Sequence, residues 1–284
     1  NISQNNIHKI EDGAFIHTSH LEFLNLSVNQ LQFLSSSMFD GLMNLTYHLL
    51  LARNKIYRIN PSAFANLENL KVIDLSSNKL YTLNAMHAVF NMGSLRELHI
   101  KDNAICRFLS LDITGLVKKT FRADFFQGAS SLADLDLFNN YISYESSKML
   151  ANPPFKFLRS LKKLAINSQG GNGLKYFPAN FLDGLESIPE TFTLTPTFQE
   201  LDLSNNKLSS LNNSLFHSIS KLKQLHLNRN GLKSLNFFLN ANLSRLTLFR
   251  ATENDIDVIT EEQFQHFTFP SFPRSQAKQF HLYM

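Results

Sequence analysis

The chain has no tryptophan and a single cysteine, Cys106, in 284 residues. One thiol cannot close an internal disulfide, so a disulfide-stapled scaffold is excluded. No apolar run reaches the roughly 18 residues that a membrane-spanning helix needs, and the first residues carry no secretory leader pattern. A reaction centre is missing too. No Ser/His/Asp, Cys/His or paired-carboxylate arrangement can be placed, so an enzyme is not expected. His17-x-x-His20 has the spacing of a metal pair but no carboxylate or thiol partners beside it. The run Gly170-Gly171-Asn172-Gly173 lacks the strand–helix unit that surrounds a phosphate-binding loop. No metal and no cofactor is expected.

What the chain does have is an asparagine at a near-constant interval: Asn5, Asn29, Asn54, Asn78, Asn103, Asn140, Asn206, Asn230 and Asn254. An apolar frame surrounds each, as in Leu21-x-x-Leu24-x-Leu26-x-x-Asn29-x-Leu31 and Leu222-x-x-Leu225-x-Leu227-x-x-Asn230-x-Leu232. Most intervals are 24 or 25 residues, the period of a leucine-rich repeat. Each Leu-x-Leu predicts a short strand with alternate side chains inward. One strand and its return arm cannot bury that apolar edge alone, so repeats must stack. The fold class expected is therefore an α/β leucine-rich-repeat solenoid, a horseshoe. Short parallel strands line its concave face, and loops and short helices its convex face. An amide both donates and accepts, so a column of asparagines can bridge adjacent turns.

Phenylalanine marks a second register, six residues before the next repeat's first apolar position, in Phe15, Phe39, Phe64, Phe126, Phe155, Phe192, Phe216 and Phe237. This accounts for 26 Phe in a chain without Trp. The rings are expected to stack as a spine inside the coil. Phe90 stands one residue off the spacing and predicts a local bulge.

Repeats override the length prior of two domains, giving one solenoid over 1–284 of about ten repeats, with an irregular central region at 104–198. The chain opens in the second half of a repeat strand and closes just before another repeat's asparagine, with no polar or cysteine-bonded cap at either end. The expectation is a fragment of a longer receptor-like chain, uncapped at both ends. Cysteine scarcity alone would suggest the cytosol, but missing caps weaken that pointer. N-x-Ser/Thr sequons stand at Asn1, Asn25, Asn44, Asn212 and Asn242, no more than composition supplies by chance. They are candidate N-glycosylation sites. Asn25 falls in a strand facing the concave side, where a glycan would obstruct a ligand.

The rhythm fails between Asn103 and Asn206. Extra residues interrupt 108–131, Gln169 stands where asparagine belongs, and the stretch from Glu186 to Thr197 is too short for a full repeat. Residues 101–175 hold 11 basic and six acidic residues, and the rest of the chain 16 basic and 17 acidic. The basic excess sits in the centre. Lys118, Lys119 and Arg122 lie in the first insertion, and Lys156, Arg159, Lys162 and Lys163 approach the following strand. Clustered cations beside irregular loops suit a polyanion, although a solvated lysine face explains them equally well. Lys101 and Arg229 are further candidates. His99 and His226 occupy equivalent outward positions on concave strands and would add positive charge to that face on protonation.

The phrase from Ile142 to Leu164, ISYESSKMLANPPFKFLRSLKKL, followed by GLKYFPANFLDGL, resembles the membrane-proximal ectodomain of Toll-like receptors. It is most similar to the 13/21/22/23 subfamily, which has many fish members. The repeat pattern covers nearly the whole chain but is generic, and the quoted phrase is far more specific. The resemblance implies an innate-immune pattern-recognition receptor, single-pass, with its signalling domain beyond Met284. It further implies a microbial ligand, single- or double-stranded RNA or DNA, and a homodimer formed on binding. The sensing part would lie outside the cell or in the endosomal lumen, with the membrane reached only through segments absent from this chain. Two rivals remain: another extracellular leucine-rich-repeat adhesion or matrix protein, and an enzyme or enzyme inhibitor on the same scaffold.

Overall fold

The structure, a computed structural model, describes residues 1–81, 87–105, 126–142, 144, 148, 150, 153–169, 174–185, 198–241, 243–264 and 281–283. Each Leu-x-Leu frame forms a strand of three residues, with the middle side chain inward in the first nine of the ten below. In chain order they are β1 (Phe23–Asn25), β3 (His48–Leu50), β5 (Val72–Asp74), β6 (Glu97–His99) and β7 (Asp134–Asp136). Then follow β8 (Lys163–Ala165), β9 (Glu200–Asp202), β10 (Gln224–His226), β11 (Leu248–Arg250) and β12 (His281–Tyr283). All ten pair in parallel, in chain order, in one sheet. Two shorter strands, β2 (Phe33–Leu34) and β4 (Arg58–Ile59), pair separately on the flank that leaves the concave face. Among the described residues helices are minimal: α1 (His87–Phe90), α2 (Glu261–Phe264) and two 3-10 turns, Asn213–Ile219 and Asn236–Asn240.

The core is the column of strand centres, Leu24, Leu49, Ile73, Leu98, Leu135, Leu164, Leu201, Leu225 and Phe249, all fully or almost fully buried. Each such side chain contributes about 2 kcal/mol through the area it removes from water. The neighbouring turn covers that area, which is why no repeat stands alone.

The asparagine column does what its amides allow. Asn54 Oδ1 accepts the Leu31 N–H at 3.0 Å, and its Nδ2 donates to the carbonyls of Leu26 and Leu51, each at 3.0 Å. The pattern recurs at Asn29, Asn78, Asn103, Asn140, Asn206, Asn230 and Asn254. Most inward carbonyls along the run receive two amides. Leu26 O, for instance, accepts from Asn29 and Asn54, and Leu75 O from Asn78 and Asn103. Gln169 substitutes with a longer arm: its Oε1 accepts Ile142 N–H at 3.1 Å and its Nε2 donates to Leu137 O at 2.9 Å. Asn5, at an exposed position, bonds only backbone within its own repeat. The residue just before each rung turns the chain through positive φ, between 49° and 58°, from Gln4 and Val28 through Glu253.

The phenylalanine spine forms, with three differences from the sequence reading. Most contacts are not stacked but tilted or edge-to-face, such as Phe90–Phe126 at 4.5 Å and Phe155–Phe181 at 5.0 Å, the geometry the ring quadrupole favours. Phe39–Phe64 and Phe216–Phe237 are the stacked pairs among the described rings. Phe90 sits not on a bulge but at the end of α1, whose turn takes up the one-residue offset. Between Phe155 and Phe216 the spine runs through Phe181, which the six-residue rule passes over, and Phe192 lies outside the described residues. Phe15 is only half-buried.

Candidate functional site

Period two puts the residues flanking each strand centre on the concave surface. Ahead of the centres runs the column Phe23, His48, Val72, Glu97, Asp134, Lys163, Glu200, Gln224 and Leu248. Behind them runs Asn25, Leu50, Asp74, His99, Asp136, Ala165, Asp202, His226 and Arg250. From β5 to β9 this surface carries six carboxylates: Asp74, Glu97, Asp134, Asp136, Glu200 and Asp202. Three of them are partly structural. Asp74, Asp136 and Asp202 accept the backbone N–H two residues on, at 2.9, 3.0 and 2.9 Å. Asn25, at the matching position of β1, accepts the Ser27 N–H in the same way, at 2.9 Å.

The cations expected on this face sit among those acids. His99 lies 3.6 Å from Glu97 and 4.0 Å from Asp136. Lys163 Nζ is 3.3 Å from Glu200. His226 occupies the matching position on β10, and burial pulls its pKa below the ordinary 6.5, with Arg250 pulling the same way and Asp202 and Glu200 opposing. Burial pushes Asp134 upward, against the pull of His99 and Lys163. Arg229, on the turn after β10, is exposed and bonds Glu253 at 2.9 and 3.0 Å. Lys101 follows β6 and is exposed.

Further positive charge stands one residue earlier, where the strands begin. From β5 to β10 that entry column holds Lys71, Arg96, Lys162 and Lys223, interrupted by Ala133 and Gln199, and Lys223 Nζ donates to Gln199 Oε1 at 3.1 Å. Its backbone is fixed by the ladder: Lys162 N–H bonds Ala133 O at 2.8 Å, and Lys162 O accepts Gln199 N–H at 2.8 Å. Arg159 is exposed in the turn leading into β8, and the Lys156 ammonium lies 5.0 Å from the Phe157 ring centroid. Gly184, with φ of +89°, packs directly on Lys156; a Cβ there would come within 2.3 Å of Lys156 Cα. Lys118, Lys119, Arg122 and the sequon Asn242 lie outside the described residues. Asn1, Asn44 and Asn212 are exposed. Among the described residues no group of acids, histidines and cysteines is arranged to hold a metal, and no helix is long and apolar enough to cross a membrane.

The sequence reading placed the basic excess by stretch and so missed two things. One is the acidic sheet, legible only once the strand-flanking positions of successive repeats are lined up. The other is Arg96 and Lys71, which lie outside the basic stretch or at its edge but share a column with Lys162. Tyr144, part of the family-specific phrase, packs edge-on against Phe181 at 5.4 Å and so contributes to the core.

Known proteins carry the same architecture. A family model described as leucine rich repeat matches residues 1–50 and 46–105. Another, a BspA type leucine rich repeat region (6 copies), matches residues 173–271. Together with the ten-stranded solenoid they place the chain in the leucine-rich-repeat family. Scaffolds of this kind bind rather than catalyse.

Within the family, the chain is similar to Toll-like receptor ectodomains. Toll-like receptor 13 of Mus musculus is 33% identical over 100 residues, which are 29% of this chain and 10% of that protein. The crystal structure of a TLR13–ssRNA13 complex covers 92% of this chain and 41% of its own, with a TM-score of 0.63 and 31% identity. The Toll–Spatzle complex of Drosophila covers 93% of this chain and 31% of its own, with a TM-score of 0.67. At 23% identity that last likeness is one of fold. The chain spans a tenth of the curated relative and less than half of these solved chains.

Proposed function

We propose that this chain is the ligand-sensing part of a Toll-like receptor ectodomain, one continuous solenoid over 1–284, taking a microbial nucleic acid along its strand-entry edge. One observation carries the reading: a basic column, Lys71, Arg96, Lys162 and Lys223, borders a sheet face rich in carboxylates. A polyanion is repelled by Asp74, Asp134, Asp136 and Asp202 and attracted by the rim beside them. Lys156 and Arg159 lie in the turn leading into β8 beside that rim, and Lys118, Lys119 and Arg122, outside the described residues, are proposed to add to the same positive charge. The similarity to a receptor solved with ssRNA13 supports the ligand class. Binding would bring two copies together outside the cell or in the endosomal lumen, and glycans on Asn1, Asn25, Asn44, Asn212 or Asn242 would mark faces left free of ligand.

The test is salt-dependent binding of a labelled RNA oligonucleotide. Replacing Arg96 and Lys162 by Glu is expected to weaken binding and to lower the slope of log affinity against log salt by about 0.7 for each phosphate no longer neutralised. Tight binding indifferent to salt, or unchanged in that variant, rejects the reading. Light scattering with and without RNA tests the dimer.

A further inference from the structure

The opposite flank of the first repeats, where the chain leaves the sheet, has a composition of its own. After each rung asparagine the four exit residues are Asn6-Ile7-His8-Lys9, then Gln30-Leu31-Gln32-Phe33, then Lys55-Ile56-Tyr57-Arg58, and after Asn78 the described Lys79-Leu80-Tyr81. The second of each set is buried or half-buried, and the others face solvent or lie half-covered. No aspartate or glutamate occurs among them, whereas the sheet face from β5 to β9 carries six carboxylates. Lys55, Arg58 and Lys79 are exposed. So are Phe33, Tyr57 and Tyr81, at 38%, 45% and 54% of their full area.

This flank is rigid. Lys55 N–H bonds Leu31 O and Lys79 N–H bonds Ile56 O, each at 2.8 Å. Pairing of β2 with β4 sets Phe33 beside Arg58, whose guanidinium carbon lies 5.6 Å from the ring centroid. Lys55 and Lys79, and likewise Tyr57 and Tyr81, hold equivalent positions in successive repeats, set apart by the strand spacing of about 4.8 Å, with Phe33 beside Arg58 on the flank. Large aromatic side chains left in water cost free energy unless something covers them. None of the five sequons falls within these exit residues.

We infer that the exit flank of the first repeats is a second binding surface, taking a single-stranded nucleic acid with its bases on Phe33, Tyr57 and Tyr81 and its phosphates on Lys55, Arg58 and Lys79. Alternation of ring and cation along a groove or ridge is how single strands are held without reading sequence. A duplex hides its base faces and gains nothing from the rings. A second copy of the same flank brings like charges together and is disfavoured. The surface is distinct from the strand-entry edge and does not depend on it.

The experiment is fluorescence anisotropy of a labelled single-stranded oligonucleotide with the full chain, competed by duplex, heparin and polyglutamate. Tyr57→Ala and Tyr81→Ala are each expected to weaken binding about tenfold, from the loss of one stacked base, while Tyr57→Phe binds as the parent does. Reversing charge at Lys55 and Lys79, both exposed, is expected to lower the salt slope by about 0.7 for each phosphate left without its cation. Equal displacement by heparin or polyglutamate, or unchanged affinity in both alanine variants, overturns the inference in favour of a simple polyanion or an acidic protein. The Arg96/Lys162 charge reversal separates the two surfaces. If it abolishes binding that the tyrosine variants leave intact, the flank fails and the entry edge stands. If it has no effect while the tyrosine variants do, the reverse holds.

Discussion

Replacing Asn54 by alanine removes one acceptor and two donors from the middle of the ladder, and the bonding pattern fixes what each loss costs. The Leu31 N–H, held at 3.0 Å by Asn54 Oδ1, is left in the interior beside a 7% exposed side chain with no substitute. An orphaned buried donor costs about 1–3 kcal/mol. The two carbonyls fare better: Leu26 O keeps Asn29 Nδ2 at 3.0 Å, and Leu51 O keeps Asn78 Nδ2 at 3.0 Å. Losing one of two partners at each carbonyl adds at most about 1 kcal/mol in all. The expected total is about 1–4 kcal/mol, against a few tenths for Asn5→Ala, whose amide is exposed and serves only its own repeat. Asn54→Asp preserves the acceptor but turns a second oxygen toward the two carbonyls. It should lose at least as much at neutral pH and recover part on acidification, when the carboxyl regains a donor. The assay is the urea midpoint together with hydrogen exchange at the Leu31 amide. A loss below about 0.5 kcal/mol, or unaltered exchange at Leu31, would refute the account of the ladder.

Two smaller perturbations probe the candidate surface. Gly184→Ala forces a side chain into a left-handed conformation against the Lys156 backbone, so a loss of more than about 1 kcal/mol is expected; an unchanged melting temperature contradicts the packing. His226 is expected to titrate below 6.5, because burial disfavours its imidazolium more than Asp202 and Glu200 favour it. The unfolded chain then binds the proton first, so His226 costs stability as pH falls from 6.5 through its own lower value. A proton NMR titration midpoint at or above 6.5, or a His226→Gln variant with the parent's pH profile of stability, counts against this.

The ladder and the sheet were legible because one backbone geometry imposes one requirement at every turn. Asn29 and Asn230 lie some two hundred residues apart yet make the same bonds, and the outward positions of His99 and His226 follow from their place after a strand centre. The charge pattern was not legible in the same way. A running count along the chain adds Lys162, Lys163 and Asp134 into one total, whereas the fold sends Lys162 to the edge and sets Lys163 against Glu200. Phe181 escaped because it enters the spine from a repeat whose spacing is irregular, so its contacts with Phe155, Phe177 and Tyr144 are what reveal it. The aromatic flank escaped for another reason: Tyr57 and Tyr81 lie outside the apolar frame, in positions that look free to vary.

Gln169 gives the solenoid a seam. On either side of it the inward carbonyls are clasped twice, but Ile166 O is reached by the Asn206 amide, with Gln169 Nε2 spent instead on Leu137 and Asn167. In a chain of nearest-neighbour couplings, the weakest joint decides where a fluctuation stops. Stretched end to end or warmed, the coil should yield first at this joint, the two halves each holding their own shape while the hinge between them flexes. The joint falls within the same central stretch where the proposed ligand edge runs. A bound strand lying across it would act as a splint, tying the halves and fixing the curvature between them.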